Sequence, residues 1–289
     1  MRNQKDAISL ISPLKLAKAI GSSESSLKRW LDKGIIKSTK TPGGHRRIFV
    51  SDAIEYIRTN RIPVVSPEEL GIQLDNSVEA FSDFDFLDML KSGEKDTAIS
   101  FLINQFLLGK RISYLVEYPI RKALQFLGDS DIHEPTSIYQ EHIATQISIA
   151  AINQLQSYIS CKNRFTALSC CLENDPYILP PLSTSSVIKE CHGKCTNIGP
   201  NTPIEMLFNL KESQLKQLDI MAISISQLED PDSTAKDLIL LSDFLGQHDV
   251  ELILGGRLLC NLNIKNSQVL QLPTLNALDL YLKHYKKPV

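Results

Sequence analysis

No run of eighteen or more apolar residues occurs in the 289-residue sequence, and its amino terminus lacks the apolar core of a secretory signal. Neither a membrane span nor export is therefore expected, and the expected compartment is the cytoplasm. The six cysteines, Cys161, Cys170, Cys171, Cys191, Cys195 and Cys260, form no paired CxxC pattern. Cys191, His192 and Cys195 make only a loose cluster beside a predicted strand, so reduced, partly buried thiols are expected and a zinc site is not. The sequence also has no phosphate-cradling Walker run, no HExxH pair and no serine elbow. His192, His248 and His284 have no neighbours that complete an acid, base or nucleophile set, so the chain is not read as an enzyme.

A near-neutral total conceals a strong partition of charge. Residues 1–61 hold thirteen Lys or Arg against five Asp or Glu, a net of +8, which leaves the remainder near −10 within the total of −2. A basic segment of this kind binds double-stranded DNA through counterion release, and two copies are needed for ordinary operator affinity. The expected partners are duplex DNA and further copies of the chain, as a homodimer or higher homo-oligomer, with no membrane partner.

The spacing within this segment predicts two short helices meeting at a sharp turn. Ala17 is small where helices approach, Gly21 accepts a positive φ, and Leu27 anchors the second helix. Ser12 with Pro13 starts the first helix, and Ser22 or Ser23 starts the second. Leu14, Ile20, Leu31, Ile35, Ile54 and Ile57, with Trp30, are expected to close a miniature core. Ser23, Ser25, Ser26, Lys28 and Arg29 then face outward on the second helix, where such helices meet base edges in a major groove. Residues 35–38 and 46–50 read as strands joined by Pro42, Gly43 and Gly44. That hairpin gathers Lys40, His45, Arg46 and Arg47 on one ribbon suited to phosphate, with an arginine at its edge for the minor groove. A protein-binding module or an architectural DNA-bending factor shares this pattern and stays open as an alternative.

Residues 62–83 read as a linker, with prolines, turn residues and acids and weak periodicity. Residues 84–162 read as four helices, broken near 92–93, 109–110 and 128–136, whose apolar faces are natural to a bundle. From residue 163 to 289 the pattern changes to short apolar runs, FTALSCC, KCTNIG, DIMAISIS and VELILGG, separated by helical stretches such as 204–214 and 233–246. That alternation predicts a doubly wound parallel sheet. Ligands of such sheets sit at the carboxyl ends of the strands, here the loops at 173–181, 199–203, 224–228 and 255–256. The expected fold class is therefore multidomain, α and α/β: winged helix-turn-helix, helical bundle and Rossmann-like sheet.

The stretch SPLKLAKAIGSSESSLKRWLDKGIIKSTKTPGGHRRIF resembles the DNA-binding domain of the mercury-resistance-regulator (MerR) superfamily, in its compact excisionase-like branch. The resemblance implies a dimeric or higher-order transcription regulator with a sensing carboxyl-terminal part. Bundle and sheet joined to this head resemble the cobalamin-binding transcription regulators, including light-responsive repressors, over residues 12 to about 285. On that resemblance Glu141 and His142 match the family's Glu-His pair. Thr202 within GPNTP, Ser224, Ser226, Gly255 and Gly256 match positions lining the corrin or its nucleotide tail. Cobalamin mutases share such a sheet domain but need a substrate barrel that 289 residues do not hold.

Two departures from the family are pronounced. Where its loop carries an acid followed by the cobalt-ligating histidine and a glycine, this chain has Asp175, then Tyr177 at the ligand position, then Pro180 and Pro181. A phenol must lose a proton to bind cobalt, whereas a neutral imidazole need not. Asp131 stands where the family has a tryptophan over the upper corrin face. The expectation is a cofactor-free body serving oligomerisation or protein contact. A cobalamin- or other small-molecule-responsive repressor is the alternative.

Overall fold

The computed structural model describes residues 10–75, 83–129, 135–160, 162–265 and 269–286. The chain divides into two compact units, Met1–Arg111 with Tyr118–Ser160, and Ile112–Glu117 with Cys161–Val289.

The first unit opens with β1 (Leu10–Ile11), α1 (Pro13–Ala19), α2 (Glu24–Asp32), β2 (Thr39–Lys40), β3 (Arg46–Phe49) and α3 (Val50–Thr59). Ser12 and Ser23 cap the two leading helices, their hydroxyls accepting from the amides of Lys15 and Ser26 at 3.2 Å each. Gly21 takes φ +63°, and the amide of Ser22 returns to the carbonyl of Ala17 at 2.8 Å. This left-handed close of α1 makes the turn sharp. The strands pair antiparallel in the order β1-β3-β2, with Lys40 opposite Arg46 and Thr39 opposite Arg47.

The core of this segment differs from the sequence expectation in register. Leu16, Leu27, Leu31, Ile36, Ile48, Ile54 and Ile57 are buried, whereas Leu14 and Ile35 are 46% and 52% exposed. Leu14 sits on the first turn of α1, two residues from the buried Leu16, so the helix presents it to the opposite side. Ile35 yields its place to Ile36, because the chain turns at Gly34 (φ +68°). Trp30 is only half-buried and packs on Tyr56, with ring centres 6.0 Å apart. The strand expected at 35–38 does not form there; the chain pairs instead at Thr39–Lys40, the strand expected to reach residue 50 ends at Phe49 where α3 begins, and β1 was not anticipated.

The stretch after α3 packs closely where it is described. Val65 and Ser66 donate their amides to the carbonyl of Ala19, at 2.8 and 3.2 Å, and Leu70 and Ile72 are buried. Residues 76–82 lie outside the described residues. Helices α4 (Asp83–Ser92) and α5 (Lys95–Leu107) follow, and then α6 (Ile112–Leu115), which belongs to the second unit. A π turn, Val116–Ile120, contains Pro119, whose missing amide suits the wider ring. Helices α7 (Arg121–Asp129) and α8 (Pro135–Ser157) complete the first unit, with Phe86, Phe101, Phe106, Ile147, Ile152 and Leu155 in its core.

The second unit is a five-stranded, wholly parallel sheet: β4 (Thr166–Leu172), β5 (Lys194–Thr202), β6 (Ile220–Ser224), β7 (Glu251–Gly255) and β8 (Val269–Gln271). The strand order is β5-β4-β6-β7-β8. Crossovers are made by α9 (Leu179–Glu190), by the short α10 (Ile204–Phe208) and α11 (Glu212–Leu215), and by α12 (Pro231–Gly246), with α13 (Leu275–His284) last. The helix expected over 204–214 is thus two pieces.

Side chains alternate as a pleated sheet requires. Leu168, Cys170, Met221, Ile223, Leu252 and Leu254 share one core with Leu238, Leu241 and Leu245 of α12. Ser169, Cys171 and Ser224 point the other way, toward α9: Ser169 donates to the carbonyl of Pro181 at 3.2 Å, and Ser224 pairs with Thr184. The segment 112–117 is fixed within this unit by two carboxylates. Glu190 accepts from the amide of Ile112 at 2.8 Å, and Glu117 accepts from the amide of Leu275 at 2.6 Å and from Asn276 Nδ2.

Candidate functional site

Two surfaces bring the singled-out residues together, one in each unit. In the first, Ser23, Ser25, Lys28 and Arg29 are exposed on and before α2, with Ser26 half-buried. Ser23 caps the helix and its hydroxyl meets those of Ser25 and Ser26 at 3.0 and 2.9 Å. Lys28 bridges Glu24 one turn earlier at 2.9 Å, an exposed pair that orients more than it stabilises. On the hairpin, Lys40 and His45 are exposed and Arg46 and Arg47 half-buried. The turn closes through the amide of Gly44 on the carbonyl of Thr41, at 2.8 Å, and Gly44 takes φ +79°. Arg46 reaches the Asp32 carboxylate at the end of α2. The sequence reading missed that Asp32 would anchor a hairpin cation; an acid next to the expected turn was the available signal.

In the second unit the strand order reverses direction at β4, whose neighbours are β5 on one side and β6 on the other. A sheet of this order offers a crevice beyond the carboxyl ends of β4 and β6. The loops there are 173–178 and 225–230, and they hold Asp175, Tyr177 and Ser226.

Asp175 is buried, and its Oδ2 accepts from the amides of Ser226 and Gln227 at 2.6 and 3.1 Å. Its Oδ1 accepts from the amide of Tyr177 at 3.3 Å, and its backbone carbonyl accepts from the amide of Asn201 at 3.0 Å. Asn174, at φ +64°, donates its amide to Asn201 Oδ1 at 2.9 Å and its side chain to Glu229 at 3.0 Å. These bonds tie the ends of β4, β5 and β6 to one another.

Arg257 donates from Nε to the carbonyl of Ser226 at 3.0 Å and lies 5.5 Å from the centre of the Tyr177 ring. Tyr177 itself is 44% exposed. Ser224 and Thr184, both buried, share a hydrogen bond of 3.0 Å between β6 and α9. Gly255 and Gly256 lie beside the loop after β6, and Gly256 takes φ +105°. A Cβ on Gly256 would stand 2.4 Å from the carbonyl oxygen of Ile225, so this glycine permits a close backbone approach within the chain. Thr202 is buried at the end of β5, opposite Leu172. The residues 199–203, expected as a loop, are strand as far as Thr202. Asn201 falls within the GPNTP run, whereas Arg257, Thr184 and Glu229 were not foreseen, and no local motif marks them.

Glu141 and His142 are on α8 of the first unit, the former half-buried and the latter exposed. Asp131 and Cys161 lie outside the described residues. Burial pushes the Cys170 thiol up to about 12, helped by Cys195 beside it, and raises Cys171 and Cys195 likewise. Such thiols stay protonated near neutrality and are poor nucleophiles and metal ligands. Cys191 donates to Asp279 Oδ1 at 3.3 Å. Among the described residues no group of three His, Cys, Asp or Glu is arranged to hold a metal ion, and no helix is long and apolar enough to cross a membrane.

No family model matches the chain, and no curated protein matches it. Among solved structures it is similar to the monomethylamine corrinoid protein of Methanosarcina barkeri, at 11% identity and a TM-score of 0.50, over 70% of this chain and 97% of that one. Weaker likenesses are to the methanol:cobalamin methyltransferase complex MtaBC of Methanosarcina barkeri (13% identity, TM-score 0.34, 92% and 94% covered) and to a novel cobalamin-binding protein from Desulfitobacterium hafniense DCB-2 (10%, 0.32, 70% and 97%). The first establishes fold alone, and the other two add nothing to it.

The site residues do not fit a histidine-ligated corrin with its nucleotide tail inserted. The loop offers a phenol where an imidazole donor is required, and that phenol faces an arginine. The Asp175 carboxylate is already committed to two backbone amides, and the Ser224 hydroxyl to Thr184. Threading a tail between β6 and α9 would break that buried pair, at a cost of about 1–3 kcal/mol for each group left unsatisfied. The carboxyl-terminal unit has a Rossmann-like, wholly parallel sheet, and the loops at the carboxyl ends of β4 and β6, where such folds bind ligands, are here bonded to one another.

Proposed function

We propose that the protein is a DNA-binding transcription regulator. Residues 10–61 act as a winged helix-turn-helix, with α2 in the major groove and the β2–β3 hairpin as wing on the phosphates. The observation that carries this reading is the shared exposure of Ser25, Lys28 and Arg29 on a capped helix and of Lys40 and His45 on a glycine-tipped hairpin, within residues 1–61 of net charge +8. Helix and ribbon with this chemistry suit base edges and backbone phosphate respectively.

The rest of the chain joins copies into a homodimer or higher oligomer and carries no catalytic step. Its crevice at the switch point is a remnant of a corrin site, closed by Asp175 and the Thr184–Ser224 pair, and works without histidine-ligated cobalamin.

The test is a random-oligonucleotide selection with the full chain at moderate ionic strength, followed by salt titration on the enriched duplex. Recovery of a sequence motif, with affinity falling steeply as salt rises, is the expected result. Absence of enrichment over a non-binding control protein would remove the reading.

A further inference from the structure

Helix α3 is held at both ends by residues from outside the amino-terminal segment. At its carboxyl end Arg58 donates from Nε to the carbonyl of Phe106 at 2.8 Å and from Nη2 to the carbonyl of Lys110 at 2.9 Å. Its guanidinium carbon lies 3.5 Å from the centre of the Phe106 ring. These carbonyls belong to the end of α5 and the turn after it, where a helix carries partial negative charge; that of Phe106 also accepts from the amide of Gly109 at 3.0 Å. A guanidinium there supplies both donors and charge. At the amino end of α3, Asp52 Oδ1 accepts from the hydroxyl of Ser160, just beyond α8, at 2.8 Å.

Strand and helix are continuous at this point. β3 ends at Phe49 and α3 begins at Val50, with no loop residue between them. The strand carrying Arg46 and Arg47 is therefore a stiff extension of a helix gripped at positions 52 and 58 by α5 and the end of α8.

We propose that Arg58 and Asp52 are positioning residues for duplex binding: they present the hairpin to DNA at an orientation set by the helical bundle, without touching DNA themselves. This rests on the DNA-binding reading above. A change of packing in α5 or at the end of α8 then reaches the hairpin through α3.

The test uses the full chain with Arg58→Ala, Arg58→Lys and Ser160→Ala, each measured for affinity to the selected duplex, for salt dependence and for amide exchange at residues 106–111 and in α3. Ser160→Ala matters because Ser160 is outside the proposed DNA-binding segment and carries no charge. Arg58→Ala is expected to weaken binding roughly two- to thirty-fold, the span of single-residue coupling effects, with an unchanged salt slope and faster exchange at 106–111. Arg58→Lys should recover only part, since an ammonium does not bridge two carbonyls as a planar fork does. Ser160→Ala should weaken binding less, again at constant slope.

A slope reduced by about one in Arg58→Ala would mean that Arg58 contacts phosphate and would overturn the proposal. So would unchanged affinity with faster exchange, or unchanged exchange. If the unaltered protein binds no duplex while Arg58→Ala still accelerates exchange at 106–111, the DNA-binding reading has failed and the α3 contact stands by itself as a structural one.

Discussion

Arg46 on the hairpin and Asp32 at the end of α2 form an ion pair, Nη2 to Oδ1, at 2.6 Å. The Arg46 side chain is 31% exposed and that of Asp32 61%, so the pair contributes only about 0–1 kcal/mol. Its effect is directional: it fixes the ribbon's angle to the helix and neutralises one of the three firm hairpin cations. Lys40 and Arg47 remain.

On the proposed function, Arg47→Ala and Lys40→Ala should each weaken binding to every duplex and lower the salt slope by about one. Arg46→Ala should lower the slope by clearly less, because Asp32 already screens that charge. Salt titration of the three variants decides it. Equal slope losses would show that the bridge opens on the duplex and that Arg46 turns to phosphate.

Purified protein mixed with adenosylcobalamin should be colourless after desalting. The polar groups of the crevice are engaged within the chain, the Asp175 carboxylate accepting from the amides of Ser226 and Gln227 and the Ser224 hydroxyl pairing with that of Thr184. Stoichiometric retention of the corrin spectrum would refute the closed-crevice reading. Tyr177→His alone should not restore retention, since Pro180, Pro181 and the buried Thr184–Ser224 pair remain.

Gly256→Ala should cost roughly 3 kcal/mol or more, because the new methyl meets backbone atoms and the residue must hold a positive φ. Asp175→Ala should cost about 2–3 kcal/mol by stranding the amides of Ser226 and Gln227, and Asp175→Asn less. Denaturant midpoints at constant slope are the readout. A neutral Asp175→Ala would mean that the loops do not depend on this carboxylate.

Tyr281→Phe should show a pH-dependent loss of stability. Burial raises the Glu251 carboxyl above its ordinary value of 4.5, while the Tyr281 hydroxyl, 2.7 Å from both its oxygens, pulls it back down. A carboxyl raised on folding adds stability only while protonated, and that contribution is lost as pH rises through the folded value. Removing the hydroxyl raises the folded value further, so the cost is about 1–2 kcal/mol near neutrality and shrinks toward pH ~4. Thermal midpoints at both pH values test it, and an equal loss at each would exclude the linkage.

The parts legible in the sequence were those set by local rules. Ser12 and Ser23 as caps, Gly21 as a left-handed turn and the apolar runs around residues 168, 222 and 253 each follow from a few adjacent residues. The parts that were not legible depend on partners far apart in the chain. Ile36 rather than Ile35 is buried because Gly34 turns the backbone, and periodicity alone does not choose between adjacent isoleucines. Arg58 reads as one more cation in a basic segment until the end of α5 arrives beside it, some fifty residues later in sequence. At the crevice, Asp175 was read for its match to a ligand-binding family, whereas its bonds to Ser226 and Gln227 make it a brace between strand ends. Residue type was informative at each of these positions, and role was not.

The edge strand β5 is poorly suited to accept a further strand. Its outer margin is interrupted: Gly199 and Asn201 take φ of +93° and +54°, Pro200 between them lacks an amide, and the pairing with β4 shifts register twice. A margin so broken offers no regular row of donors and acceptors for a strand from another molecule. Regular strand addition is disfavoured along this stretch of the flank.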